Sequence, residues 1–303
     1  MKSQPILITG ASGLVGTRLT EMLIAQGHTV AHLGRSARNR AGVKSYVWNV
    51  DDQQMDAAAL TNTTTIVHLA GASVAEKRWT ASRKREILES RTRSTQLLYD
   101  TLKKGNHSVK SFVSASAIGY YGFEDNDTLL TEDYPAGKDF MADVTKQWEE
   151  AVDRIATLGI RVVKLRIGIV LSEKGGALVE IARPVRWGVG APLGSGDQHV
   201  SWIHIDDLCA MFIRAIENES MLGAYNATGP YAVTNRELTR AIARTIHRPM
   251  FMPAVPGFAL RMVLGEMADV VLTGSRVSSG KFQDEGFVFR FDTLEKALHD
   301  LLR

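Results

Sequence analysis

"PILITGASGLVG", residues 5–16, decides the fold. Pro5 to Thr9 is a short apolar run, Gly10, Gly13 and Gly16 follow at three-residue spacing, and Leu14 to Gln26 reads as a helix closed by Gly27. A strand, a glycine turn and a helix in direct succession form the arrangement a backbone needs to hold a pyrophosphate. One glycine makes the tight turn, one lets the chain approach the phosphates, and one lets helix and strand pack closely. The helix N-terminus then faces the anion. Ser12, Leu14 and Val15 share this turn and count with the three glycines as candidate phosphate contacts. A plain glycine-rich turn is the alternative, and the flanking strand and amphipathic helix weigh against it.

Further apolar runs continue the alternation: "TVAHL" (29–33), "SYVWN" (45–49), "TIVHLA" (65–70), "SFVSAS" (111–116) and "RVVKLRIGIVL" (161–171). Several are apolar at successive positions, as parallel strands buried on both faces require. Helical patterns lie between them at Ser82 to Lys104, closed by Gly105, and Asp139 to Leu158, closed by Gly159. Glycine stops a helix because it reaches the left-handed conformation at little cost. The expected fold is α/β, a doubly wound parallel-sheet Rossmann domain over residues 1–230. Within it, residues 172–200, rich in Gly and Pro and without a clear period, read as loops of a substrate cleft. Residues 231–303 read as a smaller C-terminal substrate lobe.

Bulk composition narrows the setting. The 303 residues are 45% hydrophobic, enough for a large core. Thirty-six basic against 33 acidic residues give a net charge of +3, which makes no case for nucleic acid. The lone Cys209 can form neither an internal disulfide nor a zinc site. "MKSQPILITG" leads straight into a strand, and no apolar run approaches the roughly 18 residues of a membrane span. A cytoplasmic protein without a signal peptide is expected. Its partner is expected to be a small molecule rather than nucleic acid or membrane, with a homodimer as the candidate assembly.

The end of the second strand chooses between dinucleotides. An acid there would hold the ribose of NAD, whereas an arginine accepts the 2′-phosphate of NADP. "AHLGRSARNR" offers Gly34 and then Arg35, with Arg38 and Arg40 nearby, and no Asp or Glu occurs between Glu21 and Asp51. NADP(H) is the expected cofactor. A solvated basic loop is the alternative, stronger for Arg38 and Arg40 than for Arg35.

"TGASGLVG", "VHLAGA", "FVSASAIGYYG", "LRIGIVL" and "WIHIDDL" together resemble the extended short-chain dehydrogenase/reductase family, which includes nucleotide-sugar epimerases and dehydratases. "KRWTASRKREILESR", "GGALVEIARPVRWGVGAPLGSG" and "GFVFRFDTLEKAL" are similar to its YfcH-type "epimerase family" branch. By position, the resemblance implies that Leu69 and Ala70 lie beside the adenosine and diphosphate and Ile169 beside the nicotinamide half. It also implies a cofactor-side role for Glu86 and Arg91. The helix from Ser82 belongs to a stretch with seven basic residues, and Arg91 reads either as a cofactor or substrate contact or as part of a solvated face. Arg183, Arg186 and Trp187 read as ligand contacts or as rim residues. Where sugar-nucleotide members carry an Arg-Asp pair, this chain has Val200 and Ser201, which argues against a nucleoside-diphosphate sugar.

The family's chemistry uses a serine to position the substrate oxygen, a tyrosine to transfer the proton and a lysine to assist the tyrosine. Ser116 matches the serine and Lys146 the lysine, but Ala142 stands where the tyrosine belongs. Tyr120 and Tyr121 follow Ser116 and are alternative acids, with Tyr120 the favoured candidate; packing against the ligand is their other reading. Two functions follow: an NADP(H)-dependent oxidoreductase or epimerase, or a catalytically impaired NADP(H)-binding or redox-sensing module.

Overall fold

The runs that read as doubly buried strands lie side by side in the computed structural model, which describes residues 3–37, 40–105, 107–122 and 127–303. Strands β1 (Pro5–Thr9), β2 (Thr29–Gly34), β3 (Lys44–Asn49), β4 (Gln54–Met55), β5 (Thr65–His68) and β6 (Ser111–Ala117) join Arg161–Ile167 and Gly223–Ala227 in one eight-stranded sheet. Its order is β4, β3, β2, β1, β5, β6, Arg161–Ile167, Gly223–Ala227, and only β3 with β4 pairs antiparallel. From β1 the chain builds outward to β4, then returns to place β5 on the other side of β1. The loops leaving β1 and β5 therefore diverge and open a crevice at their carboxyl ends. This is the doubly wound sheet expected from the alternation.

Right-handed crossovers put the β1-to-β2 and β5-to-β6 helices on opposite faces, because those connections run in opposite directions. Helix α1 (Leu14–Ala25) buries Gly16, Leu19, Thr20 and Leu23 at helical spacing, and Gly27 (φ +83°) ends the segment. It packs against α5 (Ile205–Glu217), while α2 (Ala81–Lys103) packs against α3 (Phe140–Asp153). Both faces of the sheet are thus covered. Ile6, Leu7, Ile8, Ile66, Val67, Phe112 and Val163 are fully or almost fully buried between the layers.

Two features depart from the sequence reading. The run 161–171 is not one strand: Ile169–Leu171 leaves the large sheet and pairs with Trp202–His204. Gly168 is the pivot, since a Cβ there would lie 2.2 Å from the Ser201 carbonyl oxygen. Residues 172–200 are not only loop, because α4 (Ala177–Arg186) forms within them. Flanking Gly175, Gly176 and Gly188, with Pro184 in the last turn, mask a short period of Leu178, Ala182 and Val185. These three enter a second core with Trp202, Leu238 and Ile242, the last two on α6 (Asn235–Thr245), and with Phe291 and Leu298 of the tail. That core draws residues from both sides of position 231.

Beneath the glycine turn, His68 ties three elements together. Its Nδ1 lies 2.8 Å from Thr9 Oγ1, and its Nε2 lies 3.3 Å from Ser94 Oγ and 3.2 Å from Thr95 Oγ1 of α2. Thr9 Oγ1 also accepts the backbone N–H groups of Leu69 and Ala70. Burial, with Arg91 adding to it, pulls the His68 pKa down to about 3. Burial likewise lowers His32 and His204. A histidine with a depressed folded pKa contributes stability above its unfolded value near 6.5, and that stability is lost as pH falls toward the folded pKa. Chemical denaturation should therefore show His68 alone removing about 2–3 kcal/mol between pH 7 and 4.5. His68→Asn should lower stability at pH 7 and flatten the profile by that amount; an unchanged slope would contradict the assignment.

Candidate functional site

Gly10 takes φ +66°, and a Cβ on it would lie 2.7 Å from the Leu69 carbonyl carbon and 2.8 Å from the Ala70 nitrogen. The ends of β1 and β5 touch there, backbone on backbone. A Cβ on Gly16 would meet Ala11 Cα and the Gly10 oxygen at 2.6 Å, so α1 lies directly on the turn. Gly13 caps α1 without a side-chain bond, is exposed, and donates its N–H to the Gly10 carbonyl. The first-turn amides at Leu14, Val15 and Gly16 have no intrahelical partner, and the positive helix end points the same way. Exposed Ser12 and half-buried Leu14 and Val15 complete a cradle shaped for phosphate. A cavity of about 430 Å³ opens on it, lined among others by Ser12, Gly13, Leu14, Arg18 and Lys174, and by the carboxylates of Glu21, Glu173, Asp206 and Asp300.

Gly34 closes β2, and Arg35 after it is exposed, with no hydrogen bond or ion pair among the described residues. Arg40 is engaged: it lies 3.6 Å from Glu21, which also meets Arg18, and Arg18 grips Asp206 through two bonds of 2.7 and 2.9 Å. Arg38 lies outside the described residues. Leu69 and Ala70 are half-buried at the crevice, opposite Gly10.

The basic stretch around α2 is not uniformly solvated. Arg83 is buried, pairs with Glu86 at 2.7 Å and Glu76 at 3.5 Å, and donates to the Ser73 carbonyl. Glu86 is thus committed to anchoring Arg83 and the loop at Ser73. Arg91 turns inward, donates to the Ile87 carbonyl, stands 5.1 Å over the Trp148 ring and presses on Gly71. Burial first, and the charge of Arg83 second, pull its pKa down to about 10.

At the carboxyl ends of β6 and Arg161–Ile167 lies a polar network the sequence reading did not assemble. Arg166 donates Nε and Nη2 to the two carboxylate oxygens of Glu149 at 2.8 and 3.0 Å. Ser116 donates to the same carboxylate at 2.6 Å, and Lys164 lies 3.4 Å away. Burial alone would raise the Glu149 carboxyl, but the bonds and charge of Arg166 outweigh it and hold it below the usual range. Tyr121 donates to Asn226 Oδ1 at 2.6 Å and accepts from Arg166 at 3.1 Å, and burial pushes its pKa up to about 12. The signal was present in "RVVKLRIGIVL": charged residues inside an apolar parallel strand require buried partners.

The model of the NAD dependent epimerase/dehydratase family matches residues 6–228. The chain belongs to this family. A domain of unknown function, DUF1731, matches residues 255–301. An epimerase family protein of Mycobacterium leprae is 35% identical over 97% of this chain and 94% of its own length. One from Staphylococcus aureus is 37% identical over 98% of both. Among solved structures, the human epimerase family protein SDR39U1 (isoform 2), crystallised with NADPH, has a TM-score of 0.87. It is 30% identical, covering 98% of this chain and 99% of its own. A nucleoside-diphosphate sugar epimerase from Corynebacterium glutamicum has a TM-score of 0.81 at 30% identity, over 99% of this chain and 58% of its own.

The family positions now have places. Ala142 is fully buried on α3, together with Met141, Thr145, Trp148 and Glu149. Lys146 is exposed, with Asp143 and Glu150 one turn to either side, one residue beyond the buried stripe. Ser116 is buried and spends its hydroxyl on Glu149. Tyr120 is half-buried, with its ring against Arg166. Ile169 is half-buried and pairs with Trp202. Val200 pairs with Val233, and Ser201 bonds Ser275 and Val277, so both serve the lobe's own backbone. His204 Nδ1 caps α5 by accepting the Asp206 N–H. Arg183, Arg186 and Trp187 are exposed at the end of α4. Removing one partner of the central pair should be severe. Glu149→Ala should cost about 3–5 kcal/mol in chemical denaturation, whereas Glu149→Leu with Arg166→Met should recover most of it. Equal losses would mean that the carboxylate's charge is not what matters.

Proposed function

We propose that this chain binds NADP(H) and uses it as an oxidoreductase or epimerase on an unidentified small molecule. The observation that carries the reading is the Gly10–Gly13–Gly16 cradle with exposed Arg35 at the end of β2, which makes no hydrogen bond or ion pair among the described residues. An arginine without an internal partner is suited to a 2′-phosphate, which its planar fork matches. The human relative crystallised with NADPH supports the same cofactor. Desolvated Arg91, close to Gly71 and therefore to the crevice, is the second cationic contact, with Leu69, Ala70 and Ile169 as apolar ones. Val200 and Ser201, committed to the lobe's own backbone, support a substrate other than a nucleoside-diphosphate sugar.

The cofactor supplies a hydride, and the residues of this chain must orient the acceptor and deliver a proton. Among the described residues no helix is long and apolar enough to cross a membrane. Cys209 is free and buried, which suits a reducing cytoplasm. A second reading, an NADP(H)-binding or redox-sensing module without turnover, is favoured by the exposed Lys146 and the buried Ala142.

Fluorescence titration should show NADPH binding roughly 10- to 150-fold more tightly than NADH, the worth of one charge-assisted hydrogen bond. Arg35→Ala should erase most of that preference and leave NADH affinity unchanged. Equal affinities in the wild type would rule out the NADP assignment.

A further inference from the structure

Arg166 has no role in the reading above, yet it is the most constrained cation near Ser116. Its Nε and Nη2 are held by Glu149, and its Nη1 donates at 3.1 Å to both the Tyr121 hydroxyl and the Glu132 carbonyl. Four hydrogen bonds fix the guanidinium plane, and the residue is buried. On that plane rests Tyr120, with Arg166 Cζ 3.5 Å from its ring centroid. Tyr121 meets the same ring edge-on, with centroids 5.5 Å apart and planes at 86°. A desolvated cation on a ring face attracts strongly, and a planar guanidinium also fixes the ring's tilt.

The two tyrosines differ in what their hydroxyls do. Tyr121 is fully buried and its hydroxyl is taken by Asn226 and Arg166. Tyr120 is half-buried, and among the described residues its hydroxyl makes no hydrogen bond. Gly119, just before it, packs against Met141 and Thr145 at the start of α3, the part of the helix that lacks the family's tyrosine.

We propose that Arg166, locked by Glu149, is a positioning residue that holds Tyr120 as proton donor in place of the tyrosine absent from α3. The proposal rests on the oxidoreductase reading. As NADPH gives a hydride to a carbonyl carbon and becomes NADP⁺, the Tyr120 O–H bond breaks, its proton joins the carbonyl oxygen, and solvent reprotonates the phenolate.

The test uses the NADPH-loaded protein with 3-fluorotyrosine at position 120, read by fluorine NMR, alongside NADPH oxidation with 9,10-phenanthrenequinone as probe. The wild-type resonance should be displaced from that of free 3-fluorotyrosine. It should move toward the free value in Glu149→Leu with Arg166→Met, which leaves no charge buried alone. Arg166→Lys, which keeps the charge but not the plane, is the second variant should the double one not fold. Tyr120→Phe and the double variant should each lose about 10²- to 10⁴-fold in quinone reduction while retaining NADPH affinity. An unmoved resonance overturns the positioning role. Wild-type rates in Tyr120→Phe overturn the donor role. A wild type that binds NADPH but never oxidises it with the quinone sinks the oxidoreductase reading and the donor role together, while the fluorine spectra decide separately on the Arg166–Tyr120 contact.

Discussion

The backbone of Gly10 presses on the backbone of Leu69 and Ala70 with no room for a Cβ between them. That contact joins the ends of β1 and β5, the strands between which the sheet order reverses, and so brings the phosphate turn to the crevice. Thr9 and His68 reinforce it from below, through the amides of Leu69 and Ala70 and the hydroxyls of Ser94 and Thr95. Any side chain at position 10 would push the two ends apart, and it would also have to hold a positive φ that L-residues avoid. Because α1 lies on the same turn through Gly16, the direction of its dipole is set by the same contact.

A second constraint governs the polar network at the end of β6. Arg166 sits in a strand covered on both faces, where an unpaired cation would be untenable, so α3 must present Glu149 to it. Successive helical residues point about 100° apart. Lys146, three residues before Glu149, lies about 60° round the helix from it and is exposed. The Arg166–Glu149 pair takes the Ser116 hydroxyl and supplies the plane on which Tyr120 lies. On α3 the position of Ala142 is buried, and in the loop after β6 Tyr120 lies on the plane of Arg166.

The C-terminal residues are bound to the rest of the chain by equally specific polar ties. Asp207 on α5 accepts the backbone N–H groups of Arg290 and Phe291, which anchors the tail that completes the second core. Ser201 bonds both Ser275 and Val277, and Gly168 approaches Ser201 too closely for any side chain. The strand Ile169–Leu171 is drawn off the large sheet by these contacts. A boundary drawn from composition near residue 230 could not register them, because they join segments far apart in the chain.

The sequence alone determined what local periodicity and backbone chemistry control. Apolar runs alternating with helical patterns set the doubly wound sheet, and glycines at 10, 13 and 16 set the tight turn between β1 and α1. Glycines at 27 and 105 marked the ends of α1 and α2 within two residues, and Gly159 the end of the 3₁₀ turn Arg154–Leu158 that continues α3, because each of these signals lies within one turn of the chain. The tertiary structure decided which face of each helix points inward. Which residue of α3 meets Ser116, and whether Arg91 is solvated or stacked on Trp148, depends on partners 17 to 57 positions away. Helical spacing near a face boundary is ambiguous by one residue, and only the burial energy of a distant charge such as Arg166 resolves it.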